Sequence, residues 1–102
     1  MNISVSQTGD QAILELEGAV DERGAEDLKQ RFRSLPLNQL KSVIIDLGKV
    51  THIGSAGIGK MLVFYKDLAV HDAKLSLIKV PALIYQMFVE MKLDTLFSIA
   101  RA

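Results

Sequence analysis

The chain has 102 residues, enough for one domain and too few for a two-domain enzyme. Hydrophobic residues make up 49% and charged residues 24%, so a packed core is expected and disorder is not. Twelve Lys and Arg balance twelve Asp and Glu, and there is no cysteine; this argues against nucleic-acid binding, disulfides and thiolate metal sites.

Ile3 and Val5 alternate with polar residues, Thr8-Gly9-Asp10 supplies turn chemistry, and Leu14 and Leu16 alternate with Glu15 and Glu17. This predicts a hairpin with the two glutamates on a solvated face. After Gly18-Ala19-Val20, a helix starts at Asp21 or Glu22, buries Ala25, Leu28, Phe32 and Leu35, and stops before Pro36. Within Ser42 to Leu47, Val43, Ile44, Ile45 and Leu47 put apolar residues on both sides of the pleat, the pattern of a central strand covered on two faces. Gly54-Ser55-Ala56-Gly57-Ile58-Gly59 opens a second helix, with Ile58, Met61, Leu62, Tyr65 and Leu68 on one face. Leu75 to Val80 is a further strand. Pro81 suits the first turn of a third helix, with Ile84, Met87, Phe88 and Met91 assigned to the core, and a last strand covers Leu96 to Ile99. One α/β domain over residues 1–102 is expected: a mixed sheet of four or five strands with helices packed against it.

No apolar run approaches the ~20 residues that cross a bilayer, and Met1 to Gln11 lacks the basic start and apolar stretch of an export signal. A cytoplasmic location without membrane insertion is the expectation. The two histidines, His52 and His71, lie far apart in sequence, so neither a metal nor histidine-based catalysis is expected. Gly54, Gly59 and Lys60 match part of a phosphate-binding loop, but Met61 stands where a Mg²⁺-binding hydroxyl is needed. Ile78-Lys79-Val80-Pro81 also lacks the acid that would hold the metal. Nucleotide hydrolysis is disfavoured on both counts, and no cofactor is implied.

Ser55 is the residue with chemistry to offer. At a helix start, unpaired amides and the positive dipole end favour negative charge, so a phosphate there is tolerated. The flanking glycines let another protein's active site approach closely. The plainer alternative is that Ser55 only caps the helix.

The run from Asp46 through Gly48, His52, Ile53, Gly54, Ser55, Ala56 and Gly57 to Gly59 resembles the signature of STAS domains. It closely resembles that of bacterial anti-sigma factor antagonists, in which Asp-Ser-x-Gly-[Leu/Ile]-Gly opens a helix. Gly18-x-Val20-Asp21 is similar to that family's Gly-Glu-[Leu/Ile/Val]-Asp, and the order of elements agrees along the whole chain. Two departures are visible: Gly54 replaces the usual Asp, and Ala19 the usual Glu. The resemblance implies a partner switch with no catalysis of its own. Its unphosphorylated form binds an anti-sigma factor that is also a serine kinase, phosphorylation at Ser55 blocks binding, and a serine phosphatase restores it. Asp21, His52, Ile53, Gly54, Ser55, Ala56 and Gly57 would form the docking surface of a protein that is monomeric when free. Asp46 would support it, either by accepting amide hydrogen bonds from the Ser55 loop or by shaping the turn at the strand end. The alternative within the family is a STAS subunit or scaffold of another assembly, such as a lipid-transport complex, with no working phosphosite.

Overall fold

The computed structural model describes residues 1–102. Its strands are β1 (Asn2–Thr8), β2 (Gln11–Val20), β3 (Ser42–Ile53), β4 (Lys74–Val80) and β5 (Ser98–Arg101). Helices α1 (Glu22–Arg33), α2 (Ser55–Val70) and α3 (Ala82–Glu90) connect β2 to β5, with short 3₁₀ turns at Leu37–Gln39 and Leu93–Thr95. The sheet order is β1-β2-β3-β4-β5, with β1 antiparallel to β2 and every other neighbouring pair parallel. This is the mixed sheet that the sequence predicts.

The hairpin closes through Gly9 and Asp10, with Gly9 at φ 60°, a conformation that costs glycine nothing. Each later connection steps in the same direction along the sheet, and because parallel crossovers are right-handed as a rule, this puts all three helices on one face. Burial agrees. Ala12, Leu14 and Leu16 of β2, Val43, Ile45 and Leu47 of β3, and Leu75 and Leu77 of β4 are fully enclosed, while Ile13, Ile44 and Ile78 on the opposite face are only partly covered. The expectation that β3 is covered on two faces is therefore corrected. Its apolar run reflects one helix-covered face and one face shielded only by its neighbours in the sheet.

Asp21 caps α1 by accepting the Gly24 amide at 2.8 Å, and α1 ends at Arg33, before Pro36. Its buried face, Ala25, Leu28 and Phe32, meets α2, where the Phe32 and Phe64 rings stack with centroids 4.0 Å apart. Leu35, beyond the helix, is buried too. On α3, Ile84 and Phe88 are buried, but Met91 lies past the last helical residue and is 48% exposed, so it is not the core residue that helical spacing suggests. The last strand starts at Ser98 because Leu93–Thr95 forms a 3₁₀ turn that carries the chain through Leu96 in helical geometry.

Candidate functional site at the mouth of the second helix

In a parallel β-α-β arrangement the helices begin at the carboxyl ends of the strands, so the starts of α1, α2 and α3 share one edge of the sheet. There the Gly54 amide donates to the Val20 carbonyl at 3.0 Å. This bond ties the end of β3 to the end of β2, and places Asp21 and Ser55 on either side of the junction.

Gly54 is the N-cap of α2, in extended geometry at φ −97°, and no side chain bonds the first turn of the helix. Ser55 is the first helical residue and is exposed. Capping is therefore not the role of Ser55, and its hydroxyl stands free beside amides that have no acceptor within the helix. His52 is exposed next to it, and Gly54 and Ala56 are partly exposed.

Ile53 and Gly57, expected in the docking surface, face inward. Ile53 is 4% exposed, and a Cβ on Gly57 would stand 2.7 Å from Val20 Cγ1, 2.8 Å from Ile53 Cγ1 and 3.1 Å from the Val20 carbonyl. Only glycine lets α2 lie this close to the ends of β2 and β3. The two residues seat the helix that presents Ser55 and offer no side-chain surface themselves.

Asp46 is not at a strand end, because β3 runs on to Ile53. Its neighbours Gly48 and Lys49 read as a turn but are absorbed by an irregularity in the ladder: Glu15 pairs with Asp46, whereas Glu17 pairs with Lys49. The Asp46 carboxylate accepts the Gly48 amide at 2.8 Å and meets Lys79 Nζ at 3.5 Å. It bonds within β3 and to β4, not to the loop that carries Ser55, so its support is indirect: it holds the distorted strand leading there. Lys79 adopts φ 53°, a left-handed geometry that nothing in a lysine announces, and sequence reasoning missed it.

Residues 55 to 60 are helical from Ser55 onward, so Gly59 and Lys60 lie inside α2 and form no open loop able to cradle a phosphate chain. No three His, Asp or Glu side chains gather at metal-binding spacing, and no helix is long and apolar enough to cross a membrane.

A family model described as "Mlab, STAS domain" matches residues 3–98. The chain belongs to the STAS domain family. Among solved structures it is similar to the anti-sigma factor antagonist SpoIIAA in its unphosphorylated form, with TM-score 0.83 and 15% identity over 97% of this chain and 88% of that one. An anti-sigma factor antagonist from Mycobacterium paratuberculosis gives TM-score 0.85 and 18% identity over 99% and 86% of the two chains. A sulfate transporter family protein from Wolinella succinogenes gives 0.78 and 17% over 89% and 76%. At these identities the likeness is one of fold. STAS scaffolds therefore serve differently named proteins, and the function of this member has to be argued from its own edge residues.

Proposed function

We propose that this STAS domain is an anti-sigma factor antagonist that acts as a phosphorylation-controlled partner switch and catalyses nothing itself. The unphosphorylated form docks on a serine-kinase anti-sigma factor and releases its client. Phosphorylation of Ser55 blocks docking, and a serine phosphatase reverses the block. One observation carries the reading: Ser55 is exposed at the first position of α2, with no structural task for its hydroxyl. The docking surface is Ser55 with exposed His52 and Asp21 and the partly exposed Gly54 and Ala56; Ile53 and Gly57 hold it in place from below.

Phosphorylation adds about −1.5 to −2 charges. In a closely packed interface that charge loses its hydration and meets any acid of the partner. Each ~1.4 kcal/mol is tenfold in affinity, so a penalty of roughly 3 to 4 kcal/mol lowers affinity by two to three orders of magnitude. No refolding is needed.

The test combines the protein with its cognate kinase and ATP and locates the phosphate by mass spectrometry, which should fall on Ser55. Ser55→Ala should capture the partner and resist inactivation, whereas Ser55→Asp should capture it weakly. Equal capture by both variants would remove the charge argument. It would favour the second reading, a constitutive STAS subunit or scaffold of another assembly such as a lipid-transport complex. Gly54 favours that reading to the extent that the Asp usual beside a phosphorylated serine is missing here.

A further inference from the structure

The outer edge of β1 is a second surface, remote from Ser55 and independent of the switch reading. β1 pairs with β2 on one side only, so it ends the sheet. Which of its backbone groups point outward follows from the hairpin. Thr8 and Gln11 close a two-residue turn and exchange backbone hydrogen bonds; alternation from that pair turns the N–H and C=O of Gln7, Val5 and Ile3 away from β2. Arg31 supports this assignment, since its Nη2 reaches over from α1 and donates to the Ile3 carbonyl at 3.1 Å.

Natural sheet edges are guarded by charge, proline, bulges or short strands. β5, at the opposite edge, is four residues long and carries Arg101. β1 spans seven residues, Asn2 to Thr8, with no charged residue, no proline and no break in register against β2. Val5, on the helix side of the sheet opposite Leu14, is 37% exposed. Arg31 is the single guard, and it occupies one carbonyl.

Against the expectation of a free monomer, we propose that this edge takes a second copy of the chain, by antiparallel β1–β1 pairing centred on Val5, in a weak two-fold dimer. In that register Val5 faces Val5 of the second copy, Ile3 faces Gln7, and Ser4 faces Ser6. An uncharged strand meets itself with no like-charge repulsion, and the Val5 side chains cover one another. The contact is small, which places the dimer at the weak end of protein association. Docking at the carboxyl edge of β2 and β3 stays open, so each dimer carries two Ser55 sites.

Sedimentation equilibrium over a concentration series tests this, with hydrogen exchange as a site-specific readout. The mass should rise from one chain toward two, and the amides of Ile3, Val5 and Gln7 should gain protection as concentration rises. Val5→Pro removes one outward N–H and spares the β1–β2 ladder; Val5→Lys sets two positive charges face to face. Both should stay monomeric, and Val5→Lys should melt close to the parent even if the proline variant does not. Arg31→Ala frees the Ile3 carbonyl and should dimerise at several-fold lower concentration. A single-chain mass up to the solubility limit overturns the proposal, as does a dimer that persists in Val5→Lys.

Discussion

Gly57 and Gly59 are two residues apart in the same helix, yet alanine should act on them with opposite sign. At Gly57 the added methyl carbon would lie 2.7 and 2.8 Å from carbons of Val20 and Ile53, which are 0% and 4% exposed. Carbon atoms rest about 3.5–4.0 Å apart, so α2 or the strand ends must yield by close to 1 Å, and neither side chain has solvent to swing into. Overpacking of this kind costs about 1–3 kcal/mol, against which alanine recovers up to about 1 kcal/mol of helix propensity. Subtracting about 1 kcal/mol leaves a net loss of up to about 2 kcal/mol, or a melting temperature lower by up to about 15 °C for a domain of this size. At Gly59 nothing lies within 4 Å of the new Cβ and the position is exposed, so only the propensity gain of about 0.5–1 kcal/mol remains, raising the melting temperature by about 2–8 °C.

Thermal unfolding followed by circular dichroism, with urea titration at 25 °C for free energies, measures both variants against the parent. The chemical change and the helix are the same, so general effects of alanine cancel in the comparison. If Gly57→Ala melts above the parent, as Gly59→Ala should, the close seating of α2 on the strand ends is wrong, and with it the account of how Ser55 is positioned.

Two further substitutions probe the surroundings of the site. Gly54 has an ordinary extended backbone and space for a Cβ, whose nearest neighbours would be 3.9 Å away, so Gly54→Asp should provide α2 with the side-chain cap it lacks. A gain of about 0.5–1 kcal/mol is expected in thermal unfolding, and a loss would mean that the cap site is sterically closed. Asp46→Ala orphans the Gly48 amide and should cost about 1–2 kcal/mol by urea titration. Asp46→Asn should cost less than about 1 kcal/mol, because an Oδ1 acceptor remains and the lost ion pair involves a Lys79 side chain that is 66% exposed.

The features legible in the sequence are those that repeat or that a residue type enforces. Alternation at Leu14 and Leu16, helical spacing at Ala25, Leu28 and Phe32, and the stop before Pro36 each fixed an element near its observed limits. Ser55 was legible too, because a serine among glycines after an apolar strand can hardly be placed anywhere but at a helix mouth. The continuation of β3 beyond Leu47 was not, since Gly48-Lys49 reads locally as a turn and only the pairing with β2 absorbs it. The inward roles of Ile53 and Gly57 were hidden for a related reason. A glycine chosen for closeness and a glycine chosen for flexibility look alike until the neighbour is known, and here the neighbour, Val20, lies on another strand.

In the proposed switch, a charge at the start of α2 would act differently on the fold and on docking. In the free protein, the unpaired amides and the dipole end stabilise an anion by about 0.3–1 kcal/mol, so a phosphate on Ser55 leaves the domain standing. Under the proposed switch, a partner closing over that phosphate would strip its hydration and offer contacts suited to a neutral hydroxyl. The amides and dipole act on the charge in both states, so they largely cancel in the comparison, and the difference between open and docked comes from the lost hydration and any acid of the partner. A serine buried in the core, or one whose hydroxyl capped the helix, would lack this property, because modification would then compete with folding. The glycine cap and the bond from Gly54 to Val20 relieve Ser55 of every structural task, and that is what suits it to carry a reversible charge.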